Sequence, residues 1–156
     1  MVLKTNRAFL LIACSLPYLI ACALPVAVSC VNQNGKPEQF SGLWLLSIGW
    51  MGPLLGQFAW FANVFNIGAV ASLLVGSYRT SIGFSIITLL VSLDTFAWHV
   101  QEVYLDEGGV HKCTLDSLSA GAYFWFLALL APLFLSLCMM RSEKKESVEQ
   151  LVAKGT

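Results

Sequence analysis

The placement of charge along this chain limits its fold more than any single motif does. Phe58–Val100 holds two long runs without charge, divided by one basic residue, Arg79, and containing a lone acid, Asp94. Gln39–Tyr78 runs for 40 residues with no charge at all. A helix needs about 20 apolar residues to cross a hydrocarbon core of about 30 Å. Ala8–Ser29, Thr80–Val100 and Leu118–Met140 meet that length, and a fourth run lies within Gln39–Tyr78. Composition points the same way: 57% of residues are hydrophobic and only 12% are charged, about half the usual share. The 156 residues suit one compact unit. Net charge is zero, which gives nucleic acid no electrostatic purchase. In lipid, backbone polar groups must be satisfied internally, and the alternating polarity of a closed barrel is missing. The sequence therefore predicts an all-α polytopic membrane protein with four transmembrane helices and a short outer interfacial or re-entrant helix.

Orientation follows from the basic flanks. Lys4 and Arg7 precede the first run, Arg79 divides the middle, and Arg141, Lys144 and Lys145 follow the last. With one span in Gln39–Tyr78, all three clusters fall on one side; with two spans they do not, against the positive-inside tendency. The predicted spans are thus 8–29, 58–78, 80–100 and 118–140, with 42–56 as the interfacial segment and 141–156 as a cytoplasmic tail that forms a short surface helix or frays. Both termini are expected in the cytoplasm. Trp44, Trp50, Trp60, Trp98 and Trp125 then all fall in the outer half, where an aromatic belt belongs. A rival reading of the N-terminus exists: Leu19-Ile20-Ala21-Cys22 has the look of a lipoprotein processing box that would make Cys22 a lipidation site. The apolar run continues past it to Val28, which favours an uncleaved helix.

Cys14, Cys22 and Cys138 lie inside apolar runs and read as packing residues. Cys30 and Cys113 both fall on the outer side, one after the first run and one before the last. If that side is oxidising, a Cys30–Cys113 disulfide is expected there.

Asp94 is the sharpest polar candidate, because an ionisable group within a span is costly and is a functional candidate by default. Asn63 and Asn66 fall at similar depth and are its candidate partners. Two readings stay open: an ion or proton relay, or hydrogen bonds that join helices. Glu102, Asp106, Glu107 and Asp116 form an outer acidic loop. With His99, His111 and Cys113 nearby, that loop gathers potential metal ligands, but no ligand spacing of a known site is present. No metal or cofactor is expected. Nucleotide, phosphate-loop and catalytic-triad fingerprints are absent.

Phe58-Ala59-Trp60-Phe61-Ala62-Asn63 and Leu105-Asp106-Glu107-Gly108-Gly109 together carry a resemblance. The pairing resembles a group of small bacterial four-helix inner-membrane proteins, over about Gly42–Ala128. The resemblance implies a bacterial inner-membrane setting and no particular reaction or ligand. Gly42-Leu43-Trp44 is also similar to the first loop of claudin-type tetraspans, but the paired cysteines that should follow are missing and the loop is too short, so that match is rejected. The expected function is a non-catalytic binding or accessory protein, with the immunity type as an analogy. Its partners are the lipid bilayer and a membrane or envelope protein, or a second copy of itself, met through Gly42–Gly56 and the acidic loop. The alternative is a small transporter or channel subunit built on Asp94, Asn63 and Asn66; an enzyme comes third.

Overall fold

The computed structural model describes residues 7–32, 34–100, 103–104 and 112–154. Helix α1 spans Arg7–Ala23 and leads into a hairpin of β1 (Val28–Asn32) and β2 (Pro37–Phe40). A short helix α2 (Gly42–Ile48) follows, then a 3-10 stretch over Gly49–Leu55. A 3-10 turn at Ala59–Phe61 opens α3 (Ala62–Leu74), which folds back on α4 (Tyr78–Ser92); a 3-10 stretch, Leu93–His99, extends α4. Strands β3 (Val103–Tyr104) and β4 (Lys112–Leu118) precede α5 (Ala120–Lys154).

The all-α expectation is corrected by an antiparallel sheet in the order β2-β1-β4-β3, whose edge strand β3 has only two residues. Its origin lies in local pattern. Val28 and Cys30 are buried on β1, and Cys113 and Leu115 on β4, the period-two alternation of a half-buried strand. The β1–β2 turn is tied by Asn32, whose Oδ1 accepts from the Asn34 and Lys36 N–H groups, both at 3.0 Å. Gly35 takes φ 71°, a left-handed conformation that glycine enters at little cost.

The four-span expectation is corrected as well. Two helices among the described residues are long and apolar enough to cross a membrane: Tyr78–His99, with 22 residues, and Ala120–Gln150, with 31. The predicted span 8–29 stops as a helix at Ala23, because Pro25 cannot continue it and the β-branched Val26, Val28 and Val31 suit a strand. Its 17 residues reach about 25 Å. The span expected at 58–78 yields an α-helix of 13 residues, about 20 Å long, closed by Gly76 at φ 83°. The span at 80–100 begins two residues earlier than predicted and tightens into 3-10 helix after Ser92. The span at 118–140 begins at Ala120, since Leu118 belongs to β4, and continues without a break into the charged tail. That tail, Ser-Glu-Lys-Lys-Glu-Ser-Val-Glu-Gln from Ser142, contains no helix breaker and several strong helix formers.

Two buried clusters mark opposite ends. Leu10, Cys14 and Leu73 pack with Val70, Leu74, Tyr78, Ala131 and Leu135 at one end. Ala27, Val28 and Leu115 pack with Leu45, Trp98 and Leu118 beneath the sheet at the other. Arg7 and Arg79 open α1 and α4, and Arg141 lies within α5 past Ala131 and Leu135 of the first cluster. Cys30 and Cys113 are joined by a disulfide with a Cα–Cα distance of 5.7 Å, and both are fully buried within the sheet.

Candidate functional site

Four of the five tryptophans that the sequence places on one side, Trp44, Trp60, Trp98 and Trp125, line a cleft of about 700 Å³ beside the sheet, whereas Trp50 is exposed and does not line it. Tyr18 and Cys22 come from the last turns of α1; Trp44 and Ile48 come from α2. Met51 and Leu54 follow on the 3-10 stretch, and Trp60, Asn63, Thr95, Trp98 and Trp125 complete the walls. Two devices hold α2 against α1. Ser41 caps the helix, its Oγ accepting from the Trp44 N–H at 3.2 Å. Gly42 then lets the backbones touch: a Cβ there would sit 2.2 Å from the Ala21 carbonyl oxygen.

Three of the tryptophans are fixed by their indole N–H groups. Trp60 donates to the Leu46 carbonyl at 2.9 Å, Trp98 to the Cys113 carbonyl at 3.2 Å, and Trp125 to Asn63 Oδ1 at 2.8 Å. With the polar atoms so engaged, the rings offer the cleft mainly carbon. Among the described residues that line it there is no carboxylate, imidazole or basic side chain.

Asp94 stands beside this cleft with a definite task. Its Oδ2 accepts from the Phe58 N–H and, at 3.2 Å, from the Ala59 N–H. These donors open the turn that leads into α3, where N–H groups lack helical partners and an anion is favoured. Asp94→Ala is therefore expected to cost about 1.5–3 kcal/mol, as for hydrogen bonds to a charged acceptor. Asp94→Asn, which keeps an acceptor oxygen, is expected to cost less; thermal unfolding in detergent micelles reads both. An equal loss in the two variants would show that geometry at the cap does not set the effect.

Asn63 and Asn66 are brought to the same end of α3 as the residues Asp94 caps, but their contacts differ. Asn63 serves the cleft wall through Trp125, whereas Asn66 is 7% exposed and its Oδ1 has no partner among the described residues. Of the acidic loop, Asp116 is exposed on β4; Glu102, Asp106 and Glu107 lie outside the described residues, as does His111. His99 Nδ1 lies 3.0 Å from the Leu115 carbonyl. No group of three or more His, Cys, Asp or Glu that could hold a metal ion occurs among the described residues.

One buried polar feature outside the cleft was not read from the sequence. Ser81, Ser85, Thr88 and Ser92 form a buried polar stripe along α4, spaced four, three and four residues apart. The opposite face, with Ile86, Ile87 and Leu90, is exposed. The hydroxyls thus face inward and large aliphatics outward, and the hydroxyl spacing within the apolar run was the available signal. Small hydroxyl residues let helices approach closely. Ser81 Oγ donates to the Ala69 carbonyl at 2.8 Å and accepts from Ser136 Oγ at 2.7 Å, tying α4 to both α3 and α5. Thr88 Oγ1, in contrast, is buried without a partner. Thr88→Val is expected to raise stability by about 1 kcal/mol, because it removes a desolvated, unsatisfied hydroxyl. Ser81→Ala is expected to lower it by a similar amount, and opposite shifts in melting temperature check the pair.

No family model, curated protein or solved structure matches this chain.

Proposed function

We propose that this chain is a membrane-embedded binding protein without catalysis of its own. In this reading Tyr78–His99 and Ala120–Gln150 cross the bilayer, and the shorter apolar helices α1 and α3 pack against them. The disulfide-bonded sheet faces the oxidising side and the basic ends face the cytoplasm. The setting is a bacterial inner membrane, and the role is an accessory one beside another envelope component. The observation that carries the binding role is the cleft: a concave, largely apolar space of ligand-site size, whose wall among the described residues carries no carboxylate, imidazole or basic side chain. Membrane embedding draws support from the reversed polarity of α4, with hydroxyls inside and Ile86 and Leu90 outside.

Two measurements test the reading. An impermeant thiol reagent on cells with an opened outer barrier is expected to label Asp116→Cys from outside and Arg79→Cys only after lysis; the reverse pattern overturns the orientation. A photo-crosslinking amino acid at Thr95 is expected to give one discrete adduct in cells. Failure to form any adduct at position 95, while the same group at Leu90 reacts with bulk lipid, overturns the binding role.

A further inference from the structure

We propose that the cleft beside the sheet holds an acyl chain of a bilayer phospholipid. This inference rests on the binding role argued above and names its ligand class. The first argument is volume. The cleft, open along its rim, measures about 700 Å³, within the range of sites that hold a small apolar ligand. Its largely carbon wall favours hydrocarbon over water, which gains little there.

The second argument is the wall chemistry. The N–H groups of Trp60, Trp98 and Trp125 are spent on protein acceptors, and Asn63 Oδ1 is spent on Trp125. A ligand that brings many polar atoms finds few partners, whereas hydrocarbon needs none.

The third argument is access. Leu54, at the rim, is 80% exposed, and Ile48 and Met51 beside it are also open. On α1, Tyr18 and Cys22 line the cleft while Leu16 and Leu19 of the same turns face outward. The rim is thus continuous in character with the apolar outer surface, and a lipid chain enters without crossing a polar collar.

The cleft is also held open. Gly49 and Gly52 bring the Gly49–Leu55 stretch so near its neighbours that a Cβ would lie 2.4 Å from the Trp60 ring and 2.4 Å from the Gln57 carbonyl oxygen, respectively. The disulfide fixes the strand whose carbonyl accepts from Trp98.

The test uses the full chain in vesicles of phosphatidylethanolamine and phosphatidylglycerol with a small fraction of a phospholipid carrying a diazirine within one acyl chain. After irradiation, adducts are expected on cleft residues such as Met51 and Trp98 as well as on the outer face at Ile86 and Leu90. Thr95→Trp, which fills the cleft, is expected to reduce the cleft adducts about tenfold and to leave the outer-face adducts unchanged. Adducts confined to the outer face overturn the proposal. Should Thr95→Trp fail to form the Cys30–Cys113 bridge, the unaltered protein carries the test. Brominated-acyl phospholipid is then expected to quench tryptophan fluorescence with a saturable component at low mole fraction, and quenching strictly proportional to mole fraction overturns the proposal. If the crosslinker at position 95 captures a protein, or a lipid-modified protein, instead of a free phospholipid, the lipid inference fails while the binding role stands.

Discussion

Replacing both Cys30 and Cys113 by Ser is expected to cause the largest loss of stability of any change to the sheet end. The bridge closes a loop across a sequence separation of 83 residues, for which the chain-entropy relation gives about 4.5 kcal/mol, against a usual range of about 2–4 kcal/mol. The sheet has little to replace it. Its strands have two to seven residues, and short hairpins are marginal by themselves. The expected result is a marked fall in melting temperature in detergent, accompanied by a red shift of tryptophan emission as Trp98 loses its hold on the Cys113 carbonyl. Because both sulfurs are buried, reductant alone is expected to act slowly on the folded protein. A double variant that melts with the parent would show that the bridge merely decorates a sheet held by other contacts.

Gly42→Ala is expected to be the second severe change. The added Cβ meets the Ala21 carbonyl oxygen at 2.2 Å and the Ala21 carbonyl carbon at 2.9 Å. Both are backbone atoms, so no side chain can swing aside, and α2 must move off α1. Overpacking of this sort costs about 1–3 kcal/mol, and here it also shifts the cleft wall that carries Trp44 and Ile48. The measurement is a melting curve together with quenching by brominated lipid. Gly83→Ala supplies the control: on α4 its Cβ meets nothing within 4 Å, and Ala is preferred to Gly in a helix by about 1 kcal/mol. The two variants are expected to move in opposite directions, and similar shifts would count against the close α1–α2 contact.

The pattern of apolar runs made some of this readable in advance. Arg79, expected at the tip of a hairpin, lies just past the turn, in the first turn of α4, and the expectation that Cys30 and Cys113 share one side anticipated their bridge. Hydropathy does not distinguish a strand from the end of a helix, however. Val26–Val31 extended an apolar run and was absorbed into the first predicted span, although its β-branched residues and period-two burial belong to a sheet. The partner strand Lys112–Leu118 alternates in the same way, but its polar members placed it in a loop. The stripe from Ser81 to Ser92 was hidden for the opposite reason: serine and threonine scarcely interrupt an apolar run. Asp94 illustrates what a one-dimensional reading leaves out. Its position within a run raised a functional question, but the donors it serves, at Phe58 and Ala59, are set by how one helix packs on another. The cleft itself draws on four separated stretches, 18–27, 42–63, 95–98 and 121–125, and no local signal announces such a convergence.

Helix α5 has one further consequence. It runs for 35 residues, about 52 Å from end to end, some 20 Å more than the thickness of a hydrocarbon layer of about 30 Å. Trp125 stands near its beginning and the cluster Arg141–Lys145 far along it, on a single shaft. Pro132 stands between them and has no N–H to give the Ala128 carbonyl, so the shaft is weakest midway between its aromatic and its basic end.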